Sequence, residues 1–372
     1  MSRKAWYSKH RRYSVKCYDI ERQRTDIRPT ENIYYARNIY TVHGEEDDRD
    51  PNHVEKAFSK LEIAAYRICN DILEAQQAGE STFTICRADK DNILRKFLYL
   101  MLYRGIVFRD MYSTSIEDYK ESDKERVVEF IQRKGFKNLK ELWAHHLTVI
   151  METTIDARGT WKDTVRKEMV HDNAHHFIKH CEDFCLTIVQ PEAGEDEFIL
   201  TENCFGIFEG NVDWNTPYGC QIFPYHYLAP ISPRLALVLR RRLLFDHPIQ
   251  DTVEEVAGSG VVRPEGMPPL RPSLLADLPV SLAVAPLDNS CLMETDEFVL
   301  DITKISTRHV HKINNIILTE ARSLITYVSD TSMAASLEAW RVDDDFTPPL
   351  CHPDCSKMVR LRDQKLELLV HL

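Results

Sequence analysis

The most constraining feature of the chain is a block of short apolar runs between Phe184 and Arg240. The runs are rich in β-branched and aromatic residues, and Pro, Gly or Asn residues separate them, which is the pattern of strands joined by turns. They lie at residues 184–190, 197–203, 221–224 and 233–240. The block therefore predicts a sheet around which the rest of the chain is organised.

Further strands are predicted on both sides of this block. Residues 13–20 and 32–42 have high β-propensity, and residues 22–30 are the polar connection between them. Apolar and polar residues alternate over 297–305, which predicts one more strand.

Helical periodicity dominates residues 51–181. Asp50 can cap the N-terminus of a helix, Pro51 fits its first turn, and Gly79 marks its end. A helix that is apolar nearly all round, and therefore central, is predicted over 91–112. The remaining helical patterns lie at 124–134, 138–154, 160–181 and 306–329.

These elements predict an α+β fold in a single domain over residues 13–330. Its antiparallel or mixed sheet combines the N-terminal strands, the 184–240 block and the 297–305 strand, and the helices of 51–181 and 306–329 pack on one side. The helical part is 51–181 and the strand-rich part is 184–305. Because the helices do not alternate with strands, the pattern argues against a doubly wound parallel sheet.

Two segments fall outside this regular pattern. Residues 248–286 contain seven prolines and three glycines, so we expect a mobile excursion over about 246–295. Residues 331–372 are weakly patterned and are expected to form a weakly structured C-terminal tail.

Composition limits the functional classes. The chain has 372 residues and is 43% hydrophobic, which is enough for a real core. Its net charge of −11 argues against general nucleic-acid binding. Ten cysteines without framework spacing, and no apolar leader or membrane span, predict a cytoplasmic protein. No phosphate loop, dinucleotide fingerprint or nucleophile elbow is found, and no cofactor is expected.

A series of short motifs gives the chain a recognisable order. The motifs are Tyr-Ser-Val-Lys-Cys-Tyr-Asp-Ile (13–20), Asn-Ile-Tyr (38–40), Lys-Leu-Glu-Ile-Ala-Ala (60–65), Lys-Phe-Leu-Tyr-Leu-Met-Leu-Tyr-Arg (96–104), Phe-Ile-Leu-Thr-Glu-Asn-Cys (198–204), Ile-Ser-Pro-Arg-Leu-Ala-Leu-Val-Leu (231–239) and Val-His-Lys-Ile-Asn (310–314). In this order the chain resembles domain-of-unknown-function family 4238 over about residues 13–330. Relatives tend to have Ser-Asp-Asn-Pro where this chain has Thr-Glu-Asn-Cys (201–204). The resemblance implies an architecture and no activity.

The polar segment Thr201-Glu202-Asn203, at the end of the 197–203 run, is the best candidate for a catalytic site. Glu202 can act as a base or ligand and Asn203 can fix a turn or a substrate, whereas the alternative is hydrogen bonding that shapes the turn. Arg104 on the central helix and Asn314 on the late helix complete the candidate set. A buried Asn314 is equally expected to bond backbone groups of the sheet.

Histidines suggest a metal site. His171 and His175 are four residues apart on one helix, which is half of a zinc site, and the alternative is a solvated histidine cluster. On the same helix, His176 and His180 are predicted to point away from the buried side. His146 lies among apolar residues and is expected to be a hydrogen-bonded core histidine. Cys351, His352 and Cys355 form a second, lone candidate for metal binding.

Two functional hypotheses follow. The first is an intracellular interaction or scaffold protein without catalysis. The alternative is a hydrolase, with or without a metal ion, that acts on a phosphoester or nucleic acid. A shared pocket containing Glu202, Asn203, Arg104 and Asn314 would favour the hydrolase.

Overall fold

The computed structural model describes residues 14–29, 53–119, 124–203, 205, 207–216, 219–246, 273–282, 293–343 and 363–372. Within them the chain has the predicted α+β fold, built on two sheets. The predicted strand 32–42 lies outside the described residues.

The strands in chain order are β1 (Ser14–Asp19), β2 (Arg24–Pro29), β3 (Thr82–Cys86), β4 (Phe184–Pro191), β5 (Leu200–Thr201), β6 (Ile207–Thr216), β7 (Gly219–Ser232), β8 (Leu235–Arg241), β9 (Glu297–Ile305) and β10 (Leu324–Tyr327).

The α-helices are α1 (His53–Gln77), α2 (Lys96–Tyr103), α3 (Ile106–Tyr112), α4 (Lys124–Lys134), α5 (Leu139–Glu152), α6 (Trp161–Glu168), α7 (His171–Glu182), α8 (Leu243–Asp246), α9 (Thr307–Glu320), α10 (Asp330–Arg341) and α11 (Leu368–His371). A π-helix (Ala88–Arg95) leads directly into α2.

The block of predicted strands forms most of the larger sheet. Its six strands lie in the order β3-β9-β4-β8-β7-β6. The β4–β9 pair is parallel and the other pairs are antiparallel, so the sheet is mixed. Strand β9 and helix α9 follow each other as the predicted strand-then-helix unit.

Both faces of the six-stranded sheet are buried. On β8, Leu235, Leu237 and Leu239 contribute to a first core that includes the helices α1 to α7. The alternate residues Ala236 and Val238 contribute to a second core with α9 and α10. Because side chains of a strand alternate between faces, one fully apolar strand supplies both cores.

The N-terminal strands were predicted to join this sheet, and that prediction is wrong. They belong to a separate antiparallel sheet in the order β2-β1-β10-β5. The supposed polar connection, 22–30, contains β2, which pairs with β1. The predicted strand 197–203 is reduced to β5, whereas β3, β6 and β10 were not predicted.

The prediction that all helices pack on one side is also wrong. Helix α9 buries Val310, Ile313 and Ile317 in the second core, on the face opposite to α1–α7. The apolar periodicity of a helix identifies its buried side but carries no information on which face of a sheet receives it.

Tertiary contacts divide three predicted helices. The 91–112 pattern breaks at Gly105, where an added Cβ would lie 2.9 Å from the Leu102 carbonyl oxygen. The 160–181 pattern breaks at Val170, whose N–H donates to His146 Nε2 at 3.2 Å. The 306–329 pattern ends at Glu320, because Glu202 accepts the next free backbone N–H groups and β10 follows.

Two segments expected to be irregular contain packed residues. Within 246–295, Leu275 and Leu278 are buried in the second core. Within 331–372, the structure has α10 and α11, with Trp340 and Leu368 buried in the same core. None of the helices in the described parts of the chain is long and apolar enough to cross a lipid bilayer.

Strand pairing imposes a close contact at Gly210, beside an irregularity in the β6–β7 register. A Cβ at this position would lie 2.3 Å from the Phe223 carbonyl oxygen and 2.7 Å from Pro224 Cα. We expect Gly210→Ala to lower the free energy of unfolding by about 1–3 kcal/mol, as overpacking does. Chemical denaturation of the variant measures this.

Gly194→Ala is the matched control, since an added Cβ there has no neighbour within 4 Å. It should change stability by less than about 0.5 kcal/mol. Equal effects of the two substitutions would contradict the register of β6 against β7.

Candidate functional site

Glu202 and Asn203 bind the main chain between α9 and β10. The Glu202 carboxylate accepts hydrogen bonds from the backbone N–H groups of Arg322, Ser323 (2.9 Å) and Leu324 (3.2 Å). Asn203 Nδ2 donates to the carbonyl oxygen of Glu320 at 3.2 Å. The pair therefore holds the turn that ends α9, which corresponds to the structural alternative considered for this segment.

Asn314 is fully buried and bonds three groups. Its Oδ1 accepts from the Ile199 N–H at 3.1 Å, and its Nδ2 donates to the Glu197 carbonyl oxygen at 2.8 Å and to Ser336 Oγ at 2.9 Å. The side chain thus ties α9 to the segment before β5 and to α10. A buried amide with this many partners fixes the position of three elements.

Arg104 lies in a different part of the molecule from the other three candidates. Its guanidinium carbon is 3.4 Å from the centre of the Phe58 ring, in the first core. This is a cation–π contact between α1 and the end of α2. The structure therefore places Glu202, Asn203 and Asn314 at or against α9. Arg104 lies on the opposite face of the six-stranded sheet, with α1–α7.

The proposed metal pair is on the surface. His171 and His175 are exposed, their rings lie parallel with centres 6.3 Å apart, and His171 Nδ1 is 2.9 Å from Asp172 Oδ1. In the described parts of the chain, no group of three or more His, Cys, Asp or Glu side chains is placed to hold a metal ion. The Cys351, His352 and Cys355 candidate lies outside them.

The other two histidines of α7 face inward, contrary to the prediction. His180 is 2% exposed and lies against the rings of Tyr99 and Tyr227. His176 Nδ1 is 3.2 Å from the Tyr99 hydroxyl. Burial lowers the pKa of His176 to about 4. Helix α7 packs on both the bundle and the sheet, so its buried arc is wider than the apolar residues alone indicate.

His146 has the predicted role of a hydrogen-bonded core residue. Its Nδ1 is 2.9 Å from the Tyr103 hydroxyl, and its Nε2 accepts the N–H of Val170. Burial lowers the pKa of His146 to about 3, so the ring is neutral at physiological pH. Tyr103 also donates to Asn173 Oδ1 at 2.9 Å, which extends the network to α7.

The strongest polar cluster was not predicted from the sequence. Glu209, His226 and Arg240 are direct neighbours across β6, β7 and β8. All three are at least 94% buried, on the face of the sheet that borders the second core. His226 Nδ1 is 2.9 Å from Glu209 Oε2. Burial lowers the pKa of His226, although the bond to Glu209 and its charge act in the opposite direction.

Residues 273–282, here called the strap, cover this cluster. Arg240 donates to the carbonyl oxygens of Ala276 (2.9 Å), Leu278 (3.1 Å) and Leu275 (3.4 Å). Glu209 accepts from the Leu274 N–H at 2.9 Å and from Ser273 Oγ at 2.8 Å. The cluster therefore fixes an irregular segment across the sheet by bonds to its main chain.

Two buried atoms of the cluster have no hydrogen-bond partner in the structure, namely His226 Nε2 and Arg240 Nε. Because Glu209 accepts the Nδ1 proton, neutral His226 presents Nε2 as an acceptor. The Nε–H of Arg240 is a donor.

The strap also binds the first turns of α9. Asp277 forms ion pairs with Arg308, with His309 Nε2 (3.3 Å) and with Lys312 Nζ (4.0 Å), and Lys312 also donates to the Leu274 carbonyl oxygen at 2.7 Å. Partial burial alone would raise the pKa of Asp277, but the bond from Arg308 and the charges of Lys312 and His309 lower it. The Asp277 carboxylate is therefore the negatively charged group among three basic side chains of α9, here called the cationic site.

The role of Asn314 is testable by truncation. We expect Asn314→Ala to lower the free energy of unfolding by about 2–4 kcal/mol, since buried partners such as the Ile199 N–H lose their bonds. Chemical denaturation gives the value. Asn70→Ala is the control, because Asn70 donates to its helix neighbour Glu74 at the surface. A loss for Asn314→Ala no larger than for the control would contradict the anchoring role.

The comparisons with known proteins identify a family for the chain. No curated protein and no solved structure matches the chain. A family model, described as "Protein of unknown function (DUF4238)", matches residues 4–331. The match covers most of the chain, from before β1 to the start of α10. The chain therefore belongs to the protein family of unknown function DUF4238.

Proposed function

We propose that the protein is a non-catalytic interaction protein, and that its binding surface is the groove occupied by its own residues 363–372. These residues, here called the C-terminal segment, lie against β1, α9 and α10. The single observation that supports the proposal is that a short stretch of chain, separate from the matched family region, is held by specific polar and apolar contacts.

The contacts resemble those of a bound peptide. The Tyr18 hydroxyl donates to the Gln364 carbonyl oxygen at 2.6 Å. Lys365 Nζ donates to the Leu318 carbonyl oxygen at 2.6 Å, at the C-terminal end of α9, where cations are favoured. Leu368 is fully buried in the second core, which contributes about 1.5–3 kcal/mol.

The spacing of these contacts defines what the groove recognises. Lys365 and Leu368 are three residues apart, so they share one side of a helical turn. Lys365 also lies 5.5 Å from the Trp340 ring centre. A partner segment with a lysine followed three residues later by a leucine would present the same chemistry, in the manner of helical segments that dock into grooves.

The polar residues that motivated a catalytic hypothesis support the same proposal. Glu202 and Asn203 bond the backbone at the end of α9, and Asn314 bonds backbone and Ser336. Each therefore contributes to holding α9, whose final carbonyl oxygens form part of the groove.

Release of the segment tests the proposal. We expect Leu368→Asp to expose residues 363–372 to hydrogen exchange, because a buried carboxylate opposes docking. The emptied groove should then bind a labelled synthetic peptide of residues 363–372, as measured by fluorescence anisotropy. Wild-type protein should not bind this peptide, since its groove is filled.

Val370→Asp is the matched control, because Val370 is 77% exposed on the same short helix. It should leave exchange and peptide binding at the wild-type level. Failure of Leu368→Asp to bind the peptide, while circular dichroism shows an unchanged fold, would contradict the proposed groove.

Docking of the segment should depend on pH through Lys365. Burial lowers the pKa of Lys365 to about 8, although Glu202 and Glu320 raise it. The released lysine has its ordinary pKa, about 10.4. Between these values the docked state binds fewer protons than the released state, so docking becomes more favourable as pH rises.

The difference in unfolding free energy between wild type and Lys365→Met isolates this effect. It should be constant below pH 7 and should rise in favour of wild type from pH 8 to 9.5, by at most about 1.4 kcal/mol per pH unit. A constant difference over the whole range, or a fall, would show that docking does not lower the pKa of Lys365.

The hydrolase alternative has its best support in the Glu209–His226 pair, because a carboxylate-bound imidazole can act as a general base. Our proposal predicts no hydrolysis of bis(p-nitrophenyl) phosphate above background by wild type. Turnover by wild type that is lost in His226→Gln would replace the interaction proposal with the hydrolase.

We further propose a cytoplasmic location and a protein or peptide partner. Among the described residues, the thiols of Cys17, Cys69, Cys86 and Cys181 are not in disulfides, which suits a reducing compartment. The net charge of −11 disfavours nucleic acid as the general partner.

A further inference from the structure

We propose that the first two turns of α9 form a binding site for a phosphate-class oxyanion, and that Asp277 of the strap occupies this site when no such ligand is bound. The inference does not depend on the C-terminal groove. It rests on the convergence of Arg308, His309 and Lys312 on one carboxylate.

The three side chains are held in a common direction by the local structure. They lie at positions 308, 309 and 312, so they share the first turns of one helix. Ser306 Oγ is 3.0 Å from His309 Nδ1, and the other ring nitrogen, Nε2, is buried 3.3 Å from Asp277 Oδ1 without a hydrogen bond in the structure. The N-terminal end of the 14-residue helix adds its partial positive charge.

The charges at this site suit an anion of higher charge than one carboxylate. Arg308 and Lys312 carry two positive charges, and the His309 ring lies beside them. Asp277 supplies a single negative charge. A phosphate group offers more oxygen atoms and more negative charge to Arg308 and Lys312 than the Asp277 carboxylate does. Arginine and lysine bind phosphate in proteins for this reason.

The occupied site is accessible from solvent. The side chains of Asp277 and Arg308 are 48% and 62% exposed. A soluble anion can therefore compete with Asp277 without opening the core. The strap would remain bound at its other contacts, where Arg240 and Glu209 hold its main chain.

Main-chain carbonyl oxygens of the strap also accept hydrogen bonds from cationic side chains. Its carbonyl groups at Leu275, Ala276 and Leu278 surround Arg240, and that of Leu274 accepts from Lys312. Lys312 thus contacts both the carboxylate and the main chain of the strap. Binding of an oxyanion at Lys312 would loosen both contacts and couple the ligand to the position of residues 274–277.

Titration with inorganic phosphate tests the site, with binding followed by isothermal calorimetry on the full chain. Asp277→Asn removes the competing carboxylate, so we expect it to bind phosphate at least tenfold more tightly than wild type. The double variant Asp277→Asn with Arg308→Gln should lose at least tenfold of that affinity. A parallel titration with phosphoserine distinguishes free phosphate from a phosphate monoester as the preferred form.

Asp163→Asn is the matched control, because it removes one surface carboxylate paired with Arg166 on α6, away from the site. It should bind phosphate as wild type does. Absence of phosphate binding by Asp277→Asn, equal affinities of Asp277→Asn and wild type, or an equal gain in Asp163→Asn would each overturn the proposal.

Discussion

The structure depends on the burial of both faces of the six-stranded sheet. Strand β8 is buried along residues 235–240, and its side chains alternate between the first and the second core. Such a strand needs a cover on each side, since every exposed apolar face costs about 25 cal/mol per Å². The helices α1–α7 form one cover. Helices α9 and α10, the four-stranded sheet and the strap form the other.

The second cover is assembled from distant parts of the sequence, and buried polar side chains hold it together. Asn314 joins α9 to the segment before β5, Glu202 fixes the turn between α9 and β10, and Arg240 holds the strap. Arg234 acts similarly, donating to the carbonyl oxygens of Ala193 and Pro191. In each case a side chain satisfies backbone groups that have no strand or helix partner, which is how irregular segments become tolerable in a protein interior.

Two of these irregular segments suggest how the protein interacts with other molecules. The C-terminal segment fills a groove with a lysine and a leucine, and the strap fills a cationic site with Asp277. Both are short stretches of the chain in positions that, as we propose, external ligands of similar chemistry occupy. In both proposals an external group replaces an internal one. The two sites lie at opposite ends of α9, one at its C-terminal carbonyl groups and the other at its first turns.

The sequence alone determined the features that depend on local pattern. Short β-branched runs separated by turn residues predicted β4, β8 and part of β7, and the periodicity of apolar residues predicted α1, α4 and α5. His146 was identified as a core residue because its helix neighbours are apolar.

Only the tertiary structure decided where other helices end. The backbone N–H of Val170 donates to His146, and the N–H groups of residues 322–324 donate to Glu202, so these groups do not continue a helix. For the same reason the strap and its cationic site could not be found from spacing: Arg240, Asp277 and Lys312 come together only when a segment without periodicity crosses the sheet, and the hydrogen bonds and ion pairs that hold it there join residues far apart in the chain.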